Sequence, residues 1–254
     1  MRKNWKFGLL AVVALLMCSF MMKKEVVTIY MIGDSTMANK SLEKGNIERG
    51  WGMVLNEFLN DEIVVDNHAQ NGRSTKSFID EGRWDAVMNK LQPGDYVVIQ
   101  FGHNDEKSDE ARHTDPHTTF KANLARFVNE ARSKGAKPIL MNSIVRRAFK
   151  ENKNNKLEDT HGEYIKVPKE VAKELKVAYV DANTVSKKIV EKLGDEESRK
   201  LFMWVEPNKY EFCPEGKQDN THLNIEGAHV MAEALLEKMV KAVPELKQYV
   251  KDKN

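Results

Sequence analysis

Val26-Val27-Thr28-Ile29-Tyr30-Met31-Ile32-Gly33-Asp34-Ser35 is an apolar, largely β-branched run that stops at Gly-Asp-Ser. A run of that length and composition reads as a strand. It carries the Ser35 hydroxyl to the carboxyl end of a sheet, the edge where open α/β sheets bind their ligands. Working outward, four more apolar runs follow at helix-length intervals: Ile63-Val64-Val65, Tyr96-Val97-Val98-Ile99-Gln100-Phe101, Pro138-Ile139-Leu140-Met141 and Val177-Ala178-Tyr179-Val180-Asp181. The Tyr96 run is near-continuously apolar, which suits a central strand covered on both faces.

Between them lie segments of helical spacing. Trp51 to Leu59 repeats Val54, Leu55, Phe58 and Leu59, and Trp84 to Leu91 is closed by Pro93-Gly94. Phe120 to Arg132 places Leu124, Phe127, Val128 and Ala131 on one side, with Gly135 as its stop signal. Val167 to Leu175, Thr184 to Leu193 and Ile225 to about Val240 complete the set. Strands alternating with crossover helices predict an α/β fold, a three-layer α/β/α sandwich around a five-stranded parallel sheet in flavodoxin-like order. Residues 68–82, 145–162 and 203–216 read as irregular, and long loops in a compact domain are often functional.

The chain has 254 residues, 41% hydrophobic and 31% charged, enough for one domain with a substantial core. Its formal charge of +2 gives no strong field for nucleic acid, and no nucleic-acid partner is expected. Met1-Arg2-Lys3-Asn4-Trp5-Lys6 is basic and residues 7–20 are almost wholly apolar. That pattern predicts a secretory signal over residues 1–22, ahead of one domain from 23 to 254. Its removal takes Arg2, Lys3 and Lys6 and shifts the formal charge from +2 to −1. The expected location is therefore periplasmic or extracellular. Cys18 follows Leu15-Leu16-Met17, a weak lipoprotein pattern, so a membrane partner is expected only if Cys18 is lipidated. Cys213 would then be the lone cysteine, and no internal disulfide holds the domain.

Four polar blocks fall just past the strands or just before the last helix. A Ser hydroxyl is a weak nucleophile and needs a base and a stabilised oxyanion. Ser35 offers that hydroxyl at the sheet edge, although Asp-Ser after a strand also suits a helix N-cap. Gly72, in Asn71-Gly72-Arg73-Ser74, lets a backbone N–H face a substrate oxygen; Asn-Gly is equally a common turn pair. Asn104, in Gly102-His103-Asn104-Asp105, can donate its amide to a tetrahedral oxyanion. Asp219 and His222, in Asp219-Asn220-Thr221-His222, put an acid and an imidazole on one turn; a polar lead into an N-cap at Asn224 is the plainer alternative. As a set they supply Ser35 as nucleophile, His222 as base and Asp219 as its orienter. The N–H groups of Ser35 and Gly72, with the Asn104 amide, would form the oxyanion hole. His103 is given no proton-transfer role. No metal or other cofactor is expected, since the close two-His spacing of a zinc helix is missing and Pro116 interrupts the His113/His117 pair.

In this order, Gly33-Asp34-Ser35, Gly72, Gly102-x-Asn104 and Asp219-x-x-His222 resemble the four blocks of the SGNH (GDSL-like) hydrolase superfamily. Gly33-Asp34-Ser35-Thr36-Met37-Ala38, Gly72-Arg73-Ser74, Phe101-Gly102-His103-Asn104-Asp105 and Asp219-Asn220-Thr221-His222 resemble more narrowly its rhamnogalacturonan acetylesterase-like group. The resemblance runs from Val26 to about Val243. It implies a serine esterase that removes acetyl groups from plant pectin, with the same three catalytic residues and oxyanion donors. Fold-level analogy does not fix a substrate, so esters of xylan or of a bacterial glycan remain alternatives. A non-catalytic carbohydrate-binding protein and an acyltransferase are rivals from other classes. Arg146, Trp204 and Tyr210 are candidate contacts to the sugar, Arg146 for its place at a strand end and the aromatics for their apolar faces.

Overall fold

The computed structural model describes residues 26–151 and 155–252. The expected leader, residues 1–22, lies outside them, as does part of the Lys/Asn-rich run after Phe149. Five parallel strands form the main sheet: β1 Val27–Gly33, β2 Ile63–Asn67, β3 Tyr96–Gln100, β4 Lys137–Met141 and β5 Ala178–Val180. Their order is β2-β1-β3-β4-β5, as the flavodoxin-like expectation had it. The chain runs outward from β1 to one edge and then returns to build the other. β1 and β3 are therefore adjacent at the point where the strand order reverses, and a crevice opens at their carboxyl ends.

Side chains alternate across the sheet and feed two cores. Ile29 and Met31 of β1, with Val98, Ile139 and Met141, pack under helices α1 (Trp51–Val54), α6 (Ala182–Ser198) and α7 (Ile225–Ala242). Tyr30 and Ile32, with Val97, Ile99 and Leu140, pack under α2 (Thr75–Asp80), α3 (Arg83–Met88), α4 (Lys121–Ser133) and α5 (Glu163–Leu175). Every residue of β3 is buried, which accounts for its unbroken apolar run. Just beyond β3, Phe101 meets Phe78 edge-on at 5.4 Å and stacks on Phe127 at 5.7 Å. Truncating such a side chain to Ala costs about 3–5 kcal/mol, so the loop after β3 starts from a fixed anchor.

Three segments differ from the sequence expectation. Residues 68–82 contain α2, which has few apolar residues but a reciprocal cap: the Ser74 side chain accepts from Ser77 N–H and the Ser77 hydroxyl accepts from Ser74 N–H. The helix expected over Trp51 to Leu59 is one α turn followed by a 3-10 turn, Leu55–Phe58. Most consequentially, β6 (Phe202–Val205) and β7 (Lys217–Leu223) form an antiparallel ribbon where a loop and a turn were expected. Elsewhere the helix read as ending at Leu193 continues past a break at Gly194, whose φ is +78°. Among the described residues no helix is long and apolar enough to cross a membrane.

Candidate active site

Ser35 lies in the first turn after β1. Gly33 is required there by close approach, since a Cβ would stand 2.6 Å from the Gln100 carbonyl oxygen of β3. Asp34 turns inward and is wholly buried; its Oδ1 accepts from Thr36 N (2.9 Å) and Thr36 Oγ1 (2.8 Å), and burial raises its pKa. This Asx turn fixes the backbone on either side of Ser35 and leaves the hydroxyl facing out of the sheet edge.

The partner of Ser35 comes from β7. Met203 pairs with Asp219 and the next residue back on β6, Phe202, pairs with Leu223. Asn220, Thr221 and His222 are therefore looped out of the ladder as a three-residue bulge, the device that re-aims side chains beside functional sites. Asp219 Oδ1 accepts from Thr221 N (2.7 Å) and His222 N (3.0 Å), closing the bulge on itself. Asp219 Oδ2 lies 2.7 Å from His222 Nδ1, and His222 Nε2 lies 2.9 Å from Ser35 Oγ. Burial alone would raise the Asp219 pKa. The His222 hydrogen bond and charge, with the His222 and Thr221 N–H groups, outweigh it and hold the carboxyl far below the usual range. An ionised Asp219 fixes Nδ1 as the protonated nitrogen, so Nε2 can accept the Ser35 proton.

Two loops face this row. Gly72 has φ +75° and open space where a Cβ would be, so its requirement is conformational. Among the described residues neither the Ser35 nor the Gly72 backbone N–H donates to a protein acceptor. Asn104, 6% exposed, gives one amide hydrogen to the Arg73 carbonyl (3.1 Å) and accepts from Arg112 Nη1 on its oxygen (3.4 Å); among the described residues its second amide hydrogen meets no protein acceptor. The same two loops are tied below: Thr75 N (3.0 Å) and Thr75 Oγ1 (2.5 Å) both donate to Asp105. The arrangement can move a proton off Ser35 and offer N–H donors to an oxygen that gains charge nearby.

The remaining residues singled out in the sequence are placed differently. His103 is buried with its ring edge-on to His161, centroids 4.5 Å apart, and burial pushes its pKa well down. The Arg146 guanidinium is engaged by Glu106 and by Thr160 O and Oγ1 (both 3.3 Å), so it ties two loops together rather than standing free for a sugar. Trp204 also serves the bulge: its Nε1 donates to Asn220 Oδ1 (2.9 Å), and the guanidinium groups of Arg147 and Arg199 lie 4.9 and 4.4 Å from its ring. A cleft of about 560 Å³ is lined by Arg199, Lys200, Trp204, Glu206, Lys217 and Gln218, and not by Ser35, His222 or Tyr210. The Tyr210 ring packs at 5.7 Å on Phe212, whose N–H donates to the Lys44 carbonyl.

Sequence reasoning missed a row of charges behind Asp219. Lys217 Nζ is 3.3 Å from Asp219 Oδ2 and 2.9 Å from Glu48 Oε2. Glu48 Oε1 is in turn 2.9 Å from Lys40 Nζ, whose side chain is 3% exposed. The available signal was the two-residue step from Lys217 to Asp219, which puts both on one side of a strand; the other partners are far away in sequence.

Comparisons with known proteins place the chain in a family. Residues 31–230 match the model of the GDSL-like lipase/acylhydrolase family. The chain is 40% identical over 216 residues to the rhamnogalacturonan acetylesterase RhgT of Bacillus subtilis, covering 85% of this chain and 90% of that protein. It is 29% identical to the rhamnogalacturonan acetylesterase of Emericella nidulans, covering 84% of each. The crystal structure of YxiM from Bacillus subtilis superposes with a TM-score of 0.73 at 24% identity, over 85% of this chain and 56% of that one. The acetylxylan esterase Axe2 of Geobacillus stearothermophilus superposes with a TM-score of 0.60 at 18% identity, over 85% of this chain and 96% of that one; both likenesses speak to the fold. With a matched stretch that begins inside β1 and ends inside α7, enclosing all four polar blocks, this chain belongs to the GDSL-like lipase/acylhydrolase family.

Proposed function

We propose that this protein is an exported serine esterase that removes O-acetyl groups from pectic rhamnogalacturonan. The observation that carries the reading is the continuous Ser35–His222–Asp219 hydrogen-bonded row beside two backbone N–H groups with no protein acceptor. In the first step Ser35 Oγ bonds to the acetyl carbonyl carbon while His222 Nε2 takes the hydroxyl proton. The carbonyl oxygen becomes an oxyanion held by the Ser35 and Gly72 N–H groups and the Asn104 amide. The tetrahedral adduct collapses, the ester C–O bond to the sugar breaks, and His222 returns the proton to the leaving sugar hydroxyl. In the second step His222 Nε2 takes a proton from water as that water attacks the acetyl-Ser35 carbonyl; the adduct collapses, the bond between the acetyl carbon and Ser35 Oγ breaks, His222 returns the proton to Ser35 Oγ, and acetate leaves. Asp219 stays ionised throughout and stabilises the imidazolium that forms twice. Each proton is accounted for within the row, so the mechanism calls on no metal or cofactor.

The polysaccharide assignment rests on the relatives named rhamnogalacturonan acetylesterase, and the export assignment on the basic-then-apolar residues 1–22. Both are tested together. Protein from cells bearing the full-length gene is collected outside the cytoplasm and its N-terminus sequenced. It is then incubated with acetylated rhamnogalacturonan and, in parallel, acetylated xylan, with Ser35→Ala as control. The reading expects a start near residue 23, acetate from rhamnogalacturonan, and no acetate from the variant. Release from xylan alone would leave the serine mechanism and overturn the pectin substrate.

A further inference from the structure

The reaction uses Asp219, His222 and Ser35, yet the charged row does not stop at Asp219. Asp219 Oδ2 is shared between His222 Nδ1 (2.7 Å) and Lys217 Nζ (3.3 Å). Lys217 continues to Glu48 Oε2 (2.9 Å), Glu48 Oε1 to Lys40 (2.9 Å), and Lys40 Nζ donates to Asn71 Oδ1 (2.6 Å). Asn71 precedes Gly72, so the row runs from the acid of the triad round to the oxyanion turn. Its backbone is held on both sides: Glu48 bridges Asn224, and Arg49 N–H donates to the Leu223 carbonyl at 3.0 Å.

Building on the serine-esterase reading above, we propose that Lys217 is a positioning residue for His222, which it reaches through Asp219, and that the Lys217–Glu48–Lys40 row sets the lowest pH at which the enzyme works. The physical argument is one of charge. A bare Asp219 would stabilise a protonated His222 with its full negative charge. Here the same oxygen already faces an ammonium group. The two contacts to Oδ2 limit the Nδ1–Nζ separation to about 6 Å, the range in which like charges disfavour each other's ionised forms. Lys217 therefore sets a like charge against the imidazolium that forms on His222 in turnover. Glu48 acts in the opposite sense, partly cancelling Lys217, and its own carboxyl feels the His222 charge. Burial works to lower the Lys217 pKa, but Glu48 and Asp219 outweigh it and raise it, so the ammonium persists. Asp34 and His103 also feel His222; neither joins the row.

The test is the acid limb of kcat/KM for hydrolysis of a small aryl acetate, measured at low ionic strength. Lys217 is one-third exposed on a two-stranded ribbon, so Lys217→Met is tolerated by the fold, and solvent screens its influence. The expected shift is upward by about half to one pH unit. Lys217→Arg, which keeps the charge, should restore the wild-type limb. Glu48→Gln, which still accepts from Lys40, should move the limb downward. Opposite signs for the two neutralising variants are the signature, because general loosening of the site would lower kcat without moving the limbs apart. An unmoved limb, shifts of the same sign, or an Arg variant that behaves like Met would each overturn the proposal. Ser35→Ala is assayed alongside: if it still hydrolyses the ester, the serine reading has failed; if it is inactive while the limbs stay put, only the role of Lys217 has.

Discussion

Replacing Asn104 by Ala separates catalysis from folding at one side chain. The amide nitrogen donates one hydrogen to the Arg73 carbonyl at 3.1 Å, the amide oxygen accepts from Arg112 Nη1 at a long 3.4 Å, and the second amide hydrogen is the one assigned to the developing oxyanion. Loss of the Arg73 bond is worth about 1 kcal/mol of stability. For a chain of this size that lowers Tm by roughly 2–4 °C. Loss of the oxyanion donor is worth about 2.7–4 kcal/mol in the transition state, a fall of roughly 10²–10³ in kcat. The Ser35 and Gly72 N–H groups remain, so activity persists at a measurable level. Because the donor acts on charge that exists only in the transition state, KM should change little. The assay is steady-state hydrolysis of an aryl acetate beside a thermal melt. A kcat within a few-fold of wild type, with the small Tm loss present, would refute the placement of Asn104 in the oxyanion hole. A loss carried wholly by KM would refute it equally.

Asp219→Asn removes the charge that fixes the His222 tautomer and should lower kcat by about 10⁴ while the protein stays folded; near-wild-type turnover would remove Asp219 from the mechanism. Asp105 is wholly buried, and burial pushes its carboxyl up to about 7 despite the Thr75 and Thr114 hydrogen bonds. In the unfolded chain it ionises near pH 3.9. Between those values only the unfolded state gives up the proton, so stability from this group is fully present below about pH 4 and falls until about pH 7. The loss is on the order of 4 kcal/mol at most. Asp105→Asn should flatten that part of a urea-midpoint against pH curve, and an unchanged slope would contradict the assignment.

The centre of the main sheet was legible because β3 is buried on both faces: its run Tyr96 to Gln100 has no polar alternation to confuse it with a surface segment. The Asp219-to-His222 spacing was legible too, because a three-residue step carries both side chains on one bulge. The ribbon that holds this bulge was not. Lys217-Gln218-Asp219-Asn220-Thr221-His222 carries no apolar periodicity, since β7 lies outside the main sheet and most of its side chains are only half-buried. Helix α2 escaped for a related reason, its start being set by the mutual Ser74–Ser77 cap rather than by an apolar face. By type and position alone Arg146 and Trp204 are candidate sugar contacts. The partners that engage them, Glu106 and Asn220, come from other loops that no local pattern connects to them. Long-range charge pairing, as between Lys217 and Glu48, leaves no imprint on local sequence at all.

The central claim is that an acetyl group passes through Ser35. It is met most directly by acid-quenching the protein during turnover of an acetylated rhamnogalacturonan oligosaccharide and mapping acetyl groups by peptide mass. The account predicts acetyl on the peptide that carries Ser35, present only during turnover and lost in Ser35→Ala. Acetate released at full rate by Ser35→Ala, or acetyl found on another side chain during wild-type turnover, would contradict it.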